Sequence, residues 1–184
     1  WEEMLRTYAQ IQALCRSLGR IPYIYLTGGD PVLHPAFWDL LALFKADGTR
    51  FCVMGNPFHL TESVCARMKD CGCVKYQLSL DGLEKTHDSF RKPGSFRATV
   101  EAIRTIKRSG MWCAVMSTVS KTNMNEIPAL IGLADALGVD VYAFGRYCPT
   151  AAEKAHDTDM HIPPAEYREF LERCWETYGR HRDS

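Results

Sequence analysis

Apolar residues along this chain follow two alternating spacings, one typical of helices and one typical of strands. Near the start, apolar side chains recur every three to four positions, at Met4, Tyr8, Ile11, Cys15 and Leu18. This spacing predicts an amphipathic helix that ends at Gly19. The next apolar run, 23–26, is short and is stopped by the turn sequence Gly-Gly-Asp-Pro, as expected of a buried strand.

The same alternation continues along the chain. Strands are predicted at 23–26, 51–54, 74–80, 112–119 and 141–144. Helices are predicted at 4–18, 37–44, 60–71, 96–106, 127–134 and 164–178, the last one beginning at Pro163-Pro164. Glycines that can cap helix ends follow five of them, at Gly48, Gly72, Gly110, Gly138 and Gly179.

Six helices alternating with five apolar strands predict an α/β fold with a parallel sheet and outer helices. Right-handed crossovers curl such units into a barrel, so we expect a partial (β/α)6 barrel of the TIM type. The leading helix has no strand before it, which indicates that the first strand is missing. We expect one truncated domain over 1–184, with barrel units at 1–149 and a mouth loop and final helix at 150–184.

Composition narrows the class of protein without naming a partner. A hydrophobic content of 46% over 184 residues is enough for one substantial core. Lysine plus arginine and aspartate plus glutamate both number 22, so no net field favours nucleic acid or an anionic membrane. The start of the chain lacks the layout of a signal peptide, and we expect a soluble, cytoplasmic protein. The eight cysteines are scattered singly, which predicts buried thiols instead of disulfides.

Small and polar residues follow every predicted strand. They form five junctions, at 27–31, 55–57, 79–82, 117–119 and 145–150. In a parallel barrel the loops that leave the carboxyl ends of the strands build the ligand site. One glycine pair alone indicates only a tight turn, but five polar junctions on one face predict a binding site there.

The order of the motifs GGDP, GNP, SLDG with a downstream HDSFRKPGSF, and TVSKTN resembles radical S-adenosylmethionine (radical SAM) enzymes, over roughly residues 1–178. The motifs NPFHLT, YQLSLDG and RYCPT together resemble the members that mature ribosomal peptides and carry a SPASM domain after the barrel. The resemblance implies an enzyme core that reductively cleaves S-adenosylmethionine (SAM) at a [4Fe-4S] cluster to a 5′-deoxyadenosyl radical. The implied product is a modified peptide, for example with a thioether or another cross-link. The implied partners are a precursor peptide and a reductant protein such as flavodoxin or ferredoxin.

Carried onto this chain, the resemblance implies a SAM site at the strand ends. The turn at Gly28, Gly29, Asp30 and Pro31 receives the methionine ammonium group, although many relatives have glutamate where Asp30 stands. The other implied SAM contacts are Asn56 facing the cofactor, Ser79 at the ribose or carboxylate, Arg91 at the methionine carboxylate, and Thr118 and Val119 at the adenine. Arg146 is implied to face the substrate.

No CxxxCxxC motif, which would hold the SAM cluster, is present in the sequence. The nearest grouping, Cys65, Cys71 and Cys73, has the wrong spacing, and we expect buried thiols there. The resemblance therefore places the cluster ligands upstream of residue 1 and any auxiliary iron–sulfur clusters downstream. Cys148, in a predicted mouth loop, is a candidate ligand for an auxiliary cluster.

Two other functions remain open at this point. The first is a metal-free barrel lyase or aldolase that uses Asp30, Asp81 and Arg146 as acids and bases. Lys75 and Lys121 do not end strands, so such an enzyme has no obvious Schiff-base lysine. The second is a non-catalytic barrel scaffold that binds a peptide. In the radical SAM interpretation, Asp81 is expected only to cap a tight Asp-Gly turn.

Overall fold

The computed structural model of the chain describes residues 1–149 and 160–181. Its elements, in chain order, are α1 (Glu2–Ser17), β1 (Tyr23–Leu26), α2 (Phe37–Ala46), β2 (Arg50–Met54), α3 (Glu62–Asp70), β3 (Cys73–Ser79), α4 (Glu84–Phe90), α5 (Ser95–Ser109), β4 (Trp112–Val119), α6 (Ile127–Ala136), β5 (Val141–Arg146) and α7 (Pro164–His181). A short 3-10 helix, Pro31–Leu33, precedes α2. The expected mouth loop falls mostly on 150–159, which lie outside the described residues.

The five strands form one parallel sheet in the order β1-β2-β3-β4-β5. This arrangement confirms the predicted α/β class, because each helical crossover returns the chain to the same edge of the sheet. In the described part of the chain β1 and β5 are edge strands, so the sheet is open, as a partial barrel requires.

Side chains alternate between the two faces of the sheet. On one face, four residues of neighbouring strands pair in a row across the sheet, in the order Tyr25, Cys52, Lys75 and Trp112. The two residues at the ends of this row, Tyr25 and Trp112, are 50% and 61% exposed. The other face carries buried residues such as Val53, Tyr76 and Val115, which belong to one hydrophobic core with the helices. The helices therefore cover one face, and the carboxyl ends of all five strands point to a common edge.

Aromatic packing joins the first helices to the sheet. Phe44 of α2 lies 5.3 Å from Phe51 of β2 between ring centroids, and both are essentially buried. Burying a phenylalanine contributes roughly 1.5–3 kcal/mol to stability. The apolar stripe of α5 buries Ala102, Ile103 and Ile106 against the same core, as its spacing predicts.

Helix α1 is less buried than its apolar spacing suggests. Leu18 is 63% exposed, and Tyr8 is the residue of α1 that is buried. Tyr8 packs 5.0 Å from Phe44, donates a hydrogen bond to Asp47, and shares another with Thr49. One tyrosine therefore provides the main anchor of α1 in the described structure.

Three sequence predictions are wrong in detail. Helix α4 was not predicted, because its seven residues carry no apolar stripe and bury only His87. Strand β5 runs on to Arg146, since Gly145 and Arg146 pair with Thr118 and Val119. Helix α7 continues through Gly179 and therefore is not capped by it.

The glycine caps and free thiols otherwise agree with the sequence. Gly48, Gly110 and Gly138 adopt positive φ values of 65°, 73° and 67° after their helices. All eight cysteines lie in the described residues and none forms a disulfide. Across 1–149 and 160–181, no helix has the length and apolar character required to cross a bilayer.

Candidate cofactor site

The loops that follow β1 and β2 form an open cradle at the carboxyl edge of the sheet. Gly28 has a φ of +149°, a backbone conformation that strongly favours glycine. A Cβ built on Gly28 or Gly29 meets nothing within 4 Å, so the space above this backbone is free. The side-chain amide of Asn56 donates to the Gly29 carbonyl at 3.1 Å and ties the two loops together.

The carboxylate of Asp30 has no hydrogen-bond partner in the described structure, although both of its oxygens are buried. Burial raises the pKa of Asp30. The charge of His59 and the nearby backbone N–H groups of Val32 and Asn56, which do not reach hydrogen-bond geometry with the carboxylate, oppose this only in part. A buried, unpaired carboxylate costs free energy unless a cation or donor reaches it. Beside the open glycine backbone, it suits an ammonium group.

A cavity of 460 Å³ lies between the loop after β2, the C-terminal end of α4 and the first turns of α5. Its wall includes Asn56, Ser79, Arg91 and Lys92. The hydroxyl of Thr99, a buried residue in the same wall, has no hydrogen-bond partner in the described part of the chain. Guanidinium and hydroxyl donors around one cavity are suited to a carboxylate ligand.

Asp81 is the polar centre of the strand ends, a role that the sequence did not predict. Its carboxylate accepts from the Thr118 backbone at 2.8 Å and from Arg91 at 2.9 and 2.7 Å. Its backbone N–H donates to His87, and its carbonyl accepts from Asn123. The Asp-Gly pair suggested only a turn cap, because none of these partners is visible in local sequence.

His87 is a buried, neutral link between α4 and α5. Burial lowers the pKa of His87, and its Nδ1 accepts the hydrogen bond from Asp81. Its Nε2 therefore carries the proton and donates to the Ser95 hydroxyl at 3.2 Å. His87 thus orders the wall of the cavity.

The three other predicted site residues, Thr118, Val119 and Arg146, differ in their exposure and contacts. Thr118 is exposed at the end of β4, whereas Val119 is completely buried in the core. Arg146 donates to the carbonyl of Ile162 and lies 5.0 Å from the ring centroid of Tyr167, on the side of α7. Contacts of Val119 with adenine and of Arg146 with substrate stay predictions.

The lyase or aldolase alternative gains no support from this geometry. Asp81 is engaged by the Thr118 backbone and by Arg91, so its carboxylate is not a free acid or base. Lys75 donates to the half-exposed Tyr25 hydroxyl at 3.3 Å. Among the ion pairs of the described residues, none joins a lysine to Asp30 or Asp81.

A larger cavity, of 940 Å³, lies elsewhere, between β5, α6 and α7. None of the strand-end motif residues lines it, and its walls include Tyr142, Leu171 and Trp175. Volume alone does not make this groove the site, because the ligand site of a parallel barrel is built by the loops at the carboxyl ends of the strands, and this groove lies away from those loops.

No group of three or more metal-binding side chains occurs within 1–149 and 160–181. An iron–sulfur cluster therefore does not fit the described residues, whereas an ammonium and a carboxylate fit the two pockets above. Cys148 is exposed, and its place in a mouth loop stays a prediction.

Alkylation of the folded protein is expected to distinguish exposed from buried cysteines by their rates of reaction. Burial raises the pKa of Cys65 and Cys174 to about 11, and of Cys73 and Cys113 to about 12. We expect iodoacetamide at pH 8 to modify Cys148 first and to leave these four intact, because thiolates are the reactive species. Peptide mass spectrometry measures the order, and equal rates for Cys148 and Cys73 would contradict the burial described above.

Comparisons with known proteins identify the family of the chain. Residues 2–134 match the family model of the Radical SAM superfamily. The chain is 29% identical over 162 residues to the AdoMet-dependent heme synthase of Methanosarcina barkeri (strain Fusaro / DSM 804), covering 87% of this chain and 45% of that protein. It is 30% identical over 118 residues to the mycofactocin maturase MftC of Mycobacterium ulcerans (strain Agy99), covering 63% of this chain and 32% of that one. The chain thus spans less than half the length of either relative.

Solved structures show the same fold. Streptococcus suis SuiB bound to S-adenosylmethionine matches with a TM-score of 0.72 at 14% identity, over 95% of this chain and 40% of SuiB. SuiB bound to the precursor peptide SuiA matches with a TM-score of 0.72 at 15% identity, over 96% of this chain and 40% of SuiB. Because the family model covers more than half of its residues, this chain belongs to the radical SAM superfamily.

Proposed function

We propose that this chain is part of the catalytic core of a radical SAM enzyme that modifies a precursor peptide. The observation that carries the SAM site is the unpaired, buried carboxylate of Asp30 beside the open backbone of Gly28 and Gly29. A carboxylate held in this way attracts an ammonium group, because it has no positively charged or hydrogen-bonding partner of its own in the described structure. The methionine end of SAM carries such an ammonium group.

Each pocket residue has a separate task in this proposal. The carbonyls of the glycine turn and the Asp30 carboxylate hold the ammonium group. Arg91 is fixed by Asp81 through Nε and Nη2, which leaves Nη1 without a hydrogen bond in the described structure and able to meet the methionine carboxylate. Ser79 and Thr99 line the same cavity and add hydroxyl donors. Asn56 holds the two loops at a fixed separation.

Bound SAM and a [4Fe-4S] cluster supply radical hydrogen abstraction in this superfamily. We place the cluster ligands outside residues 1–184, and we propose a flavodoxin or ferredoxin as the electron donor. Auxiliary clusters belong to the same proposal, with Cys148 as a candidate ligand.

The first test uses the full-length protein after anaerobic reconstitution. We expect iron and sulfide in a four-to-four ratio and a reduced-cluster electron paramagnetic resonance signal that shifts when SAM is added. A protein that takes up no cluster under these conditions would overturn the proposal and favour a metal-free barrel or a binding scaffold.

The relatives support two candidate classes of substrate. The maturase MftC and the SuiB–SuiA complex support a peptide. The heme synthase, whose match covers more of this chain, supports a heme precursor as the second candidate. Incubation of the reduced enzyme and SAM with either substrate, followed by mass spectrometry of 5′-deoxyadenosine and product, separates them. We expect substrate-dependent 5′-deoxyadenosine with a precursor peptide, and dependence on a heme precursor alone would favour the second candidate.

A further inference from the structure

Tyr76 of β3 lies directly beneath the two cofactor loops. Its side chain is completely buried, and its hydroxyl donates to the backbone carbonyl of Asn56 at 3.1 Å. Asn56 in turn donates through its side chain to Gly29. A continuous chain of hydrogen bonds therefore runs from the middle strand of the sheet to the glycine turn.

Two side chains converge at Gly55, the residue before Asn56. A Cβ at Gly55 would clash with the Tyr76 hydroxyl and would lie 3.1 Å from an oxygen of Asp30. The phenol and the carboxylate are thus close neighbours across a backbone that has no room for a side chain. Glycine is required at this position because any side chain would clash with Tyr76, and not because the backbone has a positive φ.

We infer that Tyr76 is a positioning residue for the cofactor site: its hydroxyl fixes Asn56, and through Asn56 the glycine turn, at the separation that SAM requires. The ring gives the hydroxyl a rigid base, because a buried aromatic side chain on a central strand has little freedom to move. The inference rests on the proposed function, since it concerns binding of the same ligand.

The hydroxyl is also placed so that it leaves Asp30 unpaired. It donates its hydrogen bond to the backbone carbonyl of Asn56 and not to the Asp30 carboxylate, which has no hydrogen-bond partner in the described part of the chain. The oxygens of Asp30 therefore stay available to a cationic ligand while the two loops are already held in place. This preorganisation lowers the entropic cost of binding.

Tyr76→Phe tests the inference in the reconstituted full-length enzyme, because it keeps the ring and removes only the hydroxyl. We expect the Kd and the KM for SAM to rise by about three- to tenfold, the range for one lost hydrogen bond, with little change in kcat at saturating SAM. Calorimetry gives the Kd without any turnover.

Tyr8→Phe is the matched control. Its hydroxyl bonds Asp47 and Thr49 just before β2, at the opposite edge of the sheet. We expect it to lower Tm without changing the Kd for SAM. An unchanged Kd in Tyr76→Phe, with wild-type binding intact, overturns the inference.

A double-mutant cycle tests the same contact without SAM. We expect Gly55→Ala to lower Tm by several degrees in the wild-type background, and by clearly less in the Tyr76→Phe background, where the clashing oxygen is absent. Equal losses in both backgrounds overturn the inference. If wild type itself does not bind SAM, the proposed function fails, and this cycle still decides whether the hydroxyl meets the loop.

Discussion

Asp81→Ala is expected to destabilise the fold by about 2–3 kcal/mol, which is large for one polar side chain. The carboxylate is 5% exposed and holds the Thr118 backbone on one oxygen and Arg91 on the other. Removing it leaves both donors without their partner and loosens the ends of β3 and β4. Because Arg91 is 43% exposed and can rehydrate, the loss stays below that of a fully buried pair. Urea unfolding at neutral pH measures the change.

Asp70→Ala is the control for this experiment. Asp70 pairs with Lys45 at 2.6 Å, but the two side chains are 67% and 53% exposed. We expect a loss of less than about 1 kcal/mol, as is usual for surface ion pairs. Similar losses in the two variants would contradict the central role that we give Asp81.

Asp30→Asn is expected to change stability and binding in opposite directions. Asparagine removes a charge that has no partner in the described structure, so the ligand-free protein gains on the order of 1 kcal/mol, or roughly 2–4 °C in Tm. The same change removes the charge that attracts the ammonium group, so SAM binding to the reconstituted enzyme weakens by about ten- to a hundredfold. Thermal unfolding and calorimetry measure the two effects.

The pH dependence follows from the direction of the Asp30 shift. Burial raises the pKa of Asp30 above its ordinary value of 3.8, so the folded chain binds this proton more tightly than the unfolded chain. Ionisation therefore costs stability as the pH rises from 3.8 through the folded-state pKa, while SAM binding improves over the same interval. Asp30→Asn should flatten both profiles. A variant that loses Tm and keeps its affinity for SAM would contradict this account.

The architecture was accessible from the sequence because its signals are local. Strand-length apolar runs and helical spacing place β1 and α5 without knowledge of any partner, and parallel connection rules then bring all strand ends to one edge. The glycine turn at Gly28 and the caps at Gly48 and Gly110 follow from backbone needs that glycine meets. The loops at the strand ends, where we propose the SAM site, were therefore accessible from the sequence.

The tertiary structure decided which side chains act together, because those contacts join residues far apart in the chain. Asp81 meets Thr118 across 37 residues and Asn123 across 42, which no turn rule for Asp-Gly could show. In the sequence Tyr76 is only one residue of a predicted strand. The structure shows that its hydroxyl donates to the carbonyl of Asn56, 20 positions away. The motifs alone indicated which strand ends to consider as a cofactor site. The folded sheet determined the burial and the hydrogen bonds of the residues there, since both arise only when the strands are assembled.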